Sequence, residues 1–176
     1  MRLVVISGHS GSGKTSALNV LEDIGFTCID NLPASLLRNL IAELRAQPLA
    51  DEKKVAVGID ARNLVGDLAT IPEILREIEI GGVDVSVIFM YARRTDLVRR
   101  FSETRRKHPL SSDSVSLIGA IELEETLLAP IASITDRKVD TTGLSLHQLR
   151  DLIKNIIAPD NLSLIHISEP TRRRGI

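Results

Sequence analysis

Gly8-His9-Ser10-Gly11-Ser12-Gly13-Lys14-Thr15 satisfies the pattern G-x-x-x-x-G-K-[ST] at every fixed position. It follows the apolar run Leu3-Val4-Val5-Ile6 and precedes Ala17, Val20, Leu21 and Ile24, spaced i, i+3, i+4, i+7. The first pattern is that of a strand covered on both faces, the second that of an amphipathic helix. Glycines between them let the chain fold tightly, so that successive N–H groups converge on phosphate oxygens. A helix starting near Lys14 directs the positive end of its dipole at the same point. Lys14 is placed to bridge the outer phosphates, and Thr15 to offer its hydroxyl to Mg²⁺. Chance alone gives roughly a one-in-two-hundred match to four fixed positions in a chain of this length, and the flanking strand and helix lower that further.

Outward from the loop the same alternation continues. Phe26 to Asp30, Lys54 to Asp60, Val83 to Ala92 and a short run near Lys138 to Thr141 have strand composition. Between them, Pro33 opens a helix with Leu36, Leu37, Leu40, Ile41 and Leu44 inward, and Ile71, Ile74, Leu75 and Ile78 mark another. Thr95 is expected to cap a helix carrying Leu97, Val98 and Phe101, and Ser116 to Ile131 forms the next. Ser145-Leu146-His147-Gln148 has capping-box spacing. Five strand–helix alternations predict an α/β, three-layer P-loop NTPase or kinase-like fold with a five-stranded parallel sheet. Ligands of such sheets bind at the carboxyl ends of the strands.

The chain has 176 residues, enough for one domain. Lys and Arg number 22 against 23 Asp and Glu, so no global field favours nucleic acid or membrane. Aromatics make up 2%, which leaves few stacking platforms for single strands. Cys28 is the single cysteine, which excludes an intramolecular disulfide, and it reads as a small buried hydrophobe. No apolar run is long enough for a membrane span and the N-terminus has no signal-peptide pattern, so a cytoplasmic location is expected.

A phosphate loop also needs a carboxylate for the metal at a neighbouring strand end. Val55-Ala56-Val57-Gly58-Ile59-Asp60 supplies Asp60, and Asp30 competes from the second strand. Arg93, Arg94, Arg99, Arg100, Arg105, Arg106 and Lys107 fall within fifteen residues. Helical spacing puts Arg99 and Arg106 on one face with Arg105 beside them. Arg105 and Arg106 join Lys14 and Asp60 as the candidate catalytic set if this stretch folds over the nucleotide as a lid. A solvated helix face and a patch for RNA phosphates stay open. His108 reads as a helix-ending surface histidine, with a lid or interaction role as the alternative. A small-molecule or nucleotide kinase, suggested by the alternating topology, Asp30 on the second strand and arginines placed as in a lid, is the alternative function.

With these features placed, the chain resembles the RapZ/YvcJ family of P-loop nucleotide-binding proteins. The loop carries the resemblance together with Leu21-Glu22-Asp23-Ile24-Gly25-Phe26, Asp30-Asn31-Leu32-Pro33, Asp60-Ala61-Arg62-Asn63, the segment from Arg99 to Leu110, and Val139-Asp140-Thr141. The resemblance implies binding of ATP and GTP with slow hydrolysis. It places ATP on Gly8 to Thr15 and a GTP contact on Asp60, Ala61, Arg62 and Asn63. In some members it also implies presentation of a small RNA to a ribonuclease, a role tied to a C-terminal RNA-binding domain that is expected to be missing here. A homo-oligomer stays open.

Residues 1–158 are therefore read as one nucleotide-binding domain and 159–176 as a non-native tail. From Leu162 the run Leu162-Ser163-Leu164-Ile165-His166-Ile167-Ser168-Glu169-Pro170-Thr171-Arg172 looks like a sequencing-library adapter translated in frame. That tail is expected to pack poorly and to carry no function.

Overall fold

Alternate residues of the first strand feed two different cores. In a computed structural model, which describes residues 1–63 and 70–158, β1 spans Arg2–Gly8. Its Leu3 and Val5 pack into one apolar cluster, and its Val4 and Ile6 into another. A period-two strand buried on both faces does this by construction. Beside it lie β3 (Lys54–Gly58) and β4 (Asp84–Tyr91), with β2 (Thr27–Ile29) and β5 (Arg137–Asp140) at the edges. The sheet has five strands in the order β2-β3-β1-β4-β5, with every pairing parallel. The expected α/β, five-stranded parallel architecture is the one found.

One face carries α1 (Lys14–Asp23) and α6 (Leu146–Ile157), whose Ala17, Leu18, Leu21, Leu149 and Ile153 meet Val4 and Ile6. The other carries α2 (Leu37–Arg45), α3 (Ile71–Ile80) and α5 (Leu117–Ala132) against Leu3 and Val5. A smaller cluster of Ala92, Leu97 and Ile121 joins α4 (Arg94–Thr104) to α5. Each fully buried aliphatic side chain contributes about 1.5–3 kcal/mol of transfer free energy. Leu3, Ile6, Leu21, Leu37, Ile74, Leu75 and Leu97 are all of this kind. Cys28 is partly buried at the edge of the α1 face, and burial together with Glu22 pushes its thiol up to about 11. Among the described residues no helix is long and apolar enough to cross a membrane.

Three local expectations are corrected. Pro33 opens a 3₁₀ turn, Ala34–Leu36, and the α-helix starts only at Leu37. The tighter turn shifts the helical phase, so Leu36 is 48% exposed and not inward as expected. The helix after β4 starts at Arg94, one residue ahead of the expected Thr95 cap, and Arg93 at its N-cap makes no side-chain hydrogen bond. β3 ends at Gly58 and Asp60 lies two residues beyond it, although Ile59 still donates to the Ile6 carbonyl at 2.9 Å. The tail and residues 64–69 lie outside the described residues.

The Ser145 capping box is formed in both directions. Gln148 N–H donates to Ser145 Oγ at 3.1 Å, and Ser145 N–H donates to Gln148 Oε1 at 2.9 Å. Ser145→Ala should cost about 1 kcal/mol, lowering Tm by roughly 2–4 °C in a domain of this size. A thermal melt checks this. Gly8→Ala should cost more, about 3 kcal/mol or above, because the new Cβ would lie 1.9 Å from the Met90 carbonyl oxygen at a φ of 137°.

Candidate functional site

The loop from β1 to α1 is braced from behind. His9 N–H donates to the Met90 carbonyl at 3.0 Å, and Ser12 N–H donates to the His9 carbonyl at 3.1 Å. Thr141 Oγ1 donates to the Ser12 carbonyl at 2.8 Å, and Arg100 Nη1 to the Gly11 carbonyl at 3.0 Å. The Ser12 carbonyl thus points back into the protein. Gly13, at φ 103°, takes the left-handed turn that starts α1. The amides of Gly11, Gly13, Lys14 and Thr15 find no acceptor among the described residues, the arrangement of a phosphate nest at a helix N-terminus.

Lys14 Nζ donates to the Gly8 and His9 carbonyls, each at 2.9 Å. Burial lowers its ammonium below the ordinary lysine value, while the charges of Glu124, Asp60 and Asp30 oppose that shift. Burial likewise lowers the His9 imidazole, whose ring lies edge-on to Phe89 at 5.9 Å. Thr15 Oγ1 donates to Asp30 Oδ2 at 3.1 Å, so the structure sets the loop threonine beside Asp30. Asp60 is buried and already engaged. Arg62 N–H donates to its Oδ1 at 3.0 Å, and Arg62 Nε and Nη2 donate to its Oδ2 at 3.0 and 2.7 Å. Arg62 Nη2 also reaches Asn31 Oδ1 at 2.8 Å, tying the second strand end to the third. Ala61 is buried behind this network, and Asn63 closes the short turn Ala61–Asn63.

These groups face one cavity of about 590 Å³, lined by Lys14, Thr15, Asp30, Asp60 and Arg62 on the sheet side and by Arg106 and Lys107 across from them. The arginine stretch does not form a single helical face. α4 ends at Thr104, and Arg105 at its C-cap has left-handed backbone, φ 50°. Helical spacing therefore does not extend to Arg105 and Arg106. Arg106 reaches the cavity, Arg105 is not among its lining residues, and Arg100 is. Arg94 pairs with Glu122 and Glu125, and Arg99 with Asp96 and Glu103.

His108 is not a surface residue. Its side chain is fully buried, with Nε2 3.3 Å from Glu124 Oε2. Glu124 itself, on α5, was missed by sequence reasoning. It accepts from Ser10 N–H through Oε1 and from Ser10 Oγ through Oε2, both at 2.6 Å. Burial alone would raise its carboxyl, but the nearby His108, the hydrogen bonds from Ser10 and the Lys14 charge hold it below the usual carboxylate range. Losing one partner of such a buried charged group costs about 3–5 kcal/mol. The available signal was phase: Ile121, Glu124, Leu128 and Ile131 fall on one buried stripe of α5, and an acid on that stripe needs a partner.

A family model described as the RapZ-like N-terminal domain matches residues 1–161. A "Nucleotide-binding protein" of Pseudomonas aeruginosa is 53% identical over 154 residues, 88% of this chain and 54% of the relative. One from Saccharophagus degradans is 50% identical over 157 residues, 89% of this chain and 54% of the relative. The chain therefore spans about half the length of the curated relatives it matches. Among solved structures, shikimate kinase from Bacteroides thetaiotaomicron aligns with a TM-score of 0.59 at 13% identity, covering 88% of this chain and 95% of that one. Shikimate kinase from Acinetobacter baumannii gives 0.58 at 14%, covering 91% and 94%. At such identities the likeness shows the fold alone, that of the P-loop kinases. By the family model and by identity with these relatives, the chain belongs to the RapZ-like N-terminal domain family.

Proposed function

We propose that the cavity is a nucleotide site taking ATP and GTP with Mg²⁺, and that it hydrolyses them slowly. The observation that carries this reading is the nest itself: four amides without an acceptor among the described residues, at the start of α1, beside a partly buried Lys14. The relatives' shared description as nucleotide-binding proteins agrees with it. In this reading the amides of Gly11, Gly13, Lys14 and Thr15 take phosphate oxygens, and Lys14 exchanges its two carbonyl partners for the outer phosphates.

The donor set fits Mg²⁺. Thr15 Oγ1 and Asp30 Oδ2 are adjacent hard oxygen donors, and this ion takes one or two protein oxygens with phosphate and water completing its shell. Asp60, held by Arg62, would join them through water or after Arg62 turns aside. When bound, Mg²⁺ would neutralise charge on the outer phosphates. Hydrolysis makes a bond from water oxygen to the outer phosphorus, breaks the bond to the diphosphate oxygen and releases a proton. Glu124 near Lys14 already accepts two hydrogen bonds from Ser10 and is held below the usual carboxylate range, which leaves it poorly suited to take that proton and supports slow turnover. Arg106 and Lys107 face the phosphates and stabilise their charge.

The presentation of small RNA to a ribonuclease we assign to a whole protein and not to this half-length span. Arg94, Arg99 and Arg100 are paired with acids, so α4 offers little free positive surface to RNA phosphates. A second reading, a small-molecule or nucleotide kinase, draws on Asp30, an exposed carboxylate on the cavity wall. Labelled ATP offered with nucleosides, nucleotides and sugars separates the two: label recovered only as inorganic phosphate removes the kinase.

Lys14→Ala should weaken ATP and GTP binding by about 10- to 100-fold, the effect of losing a hydrogen bond to a charged group. Isothermal titration with each nucleotide checks this, and unchanged affinity would overturn the site. Asp60→Ala should lower Mg²⁺-dependent phosphate release by about tenfold or more while affinity moves by less than about threefold. Chelating Mg²⁺ should stop release in the wild type. Equal losses of turnover and affinity in Asp60→Ala would count against a metal role for it.

A further inference from the structure

We propose that Glu124 and His108 are positioning residues that clip the basic strap, residues 105–112, to the phosphate-binding loop, so that Arg106 and Lys107 are aimed at the outer phosphate of a bound nucleotide. The aim of the strap rests on the nucleotide reading above; the clip itself does not.

Two contact routes join strap and loop through His108. On one side its Nε2 faces Glu124 Oε2 at 3.3 Å, and the same carboxylate holds Ser10 through both N–H and Oγ at 2.6 Å. Leu110 N–H donates to His108 Nδ1 at 3.1 Å, which makes Nδ1 an acceptor and leaves the ring proton on Nε2, buried 3.3 Å from the carboxylate but outside hydrogen-bond geometry. On the other side the imidazole lies 5.2 Å from the Phe101 ring. Phe101 in turn lies against the loop at Gly11, where an added Cβ would come within 3.2 Å of Phe101 Cε2. His108 therefore touches the partners of two successive loop residues.

The strap is folded around this anchor. Ser111 donates to the His108 carbonyl through N–H at 3.0 Å and Oγ at 2.7 Å. Arg106 and Lys107, one and two residues before the anchor, line the cavity, as does Pro109 just after it. Among the described residues neither Arg106 nor Lys107 makes an ion pair, whereas Arg94, Arg99 and Arg100 all do. Their aim is thus set by the strap backbone, and the backbone is held at His108. Glu124 and His108 do not line the cavity, so they touch no ligand there and act through Ser10, Gly11 and the strap.

Hydrogen exchange on the unliganded protein tests the clip without any nucleotide. His108→Ala should speed exchange about tenfold or more in peptides covering both 105–112 and 8–15. Faster exchange confined to 105–112 would overturn the proposal. The aim of the strap is read from the ratio of ATP to ADP affinity in titrations. That ratio should fall about tenfold in His108→Ala and no further in His108→Ala with Arg106→Ala and Lys107→Ala. His108→Gln, which retains a donor towards Glu124, should restore most of it. A His108→Ala protein that loses ATP and ADP affinity equally would also overturn the positioning role. Where His108→Ala does not fold, Glu124→Gln carries the same two readouts. If the wild type binds neither nucleotide, the nucleotide reading and the strap's aim fall together, while exchange still decides the clip.

Discussion

The site depends on how closely two strands approach at their carboxyl ends. At Gly8 the backbone of β1 runs so near that of β4 that a Cβ would sit 1.9 Å from the Met90 carbonyl oxygen. That approach lets His9 donate to the same carbonyl and turns the loop up and over the sheet edge. With the Ser12 carbonyl bonded to buried Thr141 and the Gly11 carbonyl to Arg100, amides of the turn are left without an acceptor among the described residues. A binding surface for anions follows from satisfying the opposite half of each peptide group.

Charge is then layered around the nest. Lys14 and the strap face it, Asp30 and Asp60 flank the sheet side, and Glu124 lies behind Ser10. The two buried carboxylates are saturated by different means. Asp60 is held by an arginine two residues on, and Glu124 by a serine 114 residues away, with His108 packed against it. Such groups hold geometry, because removing either partner leaves donors unpaired in a low-dielectric site.

Much of the fold was legible because it is written in local periodicity. The continuous apolar run of β1, the i, i+3, i+4, i+7 spacing of α1 and α6, and the capping box at Ser145 each depend on residues within one or two turns of each other. Errors arose where the backbone changed pitch or ended early. The 3₁₀ turn after Pro33 rotated Leu36 outward, and the left-handed residue Arg105 broke the spacing that had placed Arg105 and Arg106 on a helix face.

By itself the sequence determined the loop, the class of fold and the residues on the sheet side of the site, since Lys14, Thr15, Asp30 and Asp60 all follow strand or loop signals close to them in the chain. Only the tertiary structure decided which carboxylate lies beside Thr15, which arginines face the cavity, and that His108 is buried against Glu124. It also brought Glu124 onto Ser10, 114 residues away in the chain. The geometry of these contacts is set by how α4 and α5 pack across the sheet edge, and no short-range pattern encodes that packing.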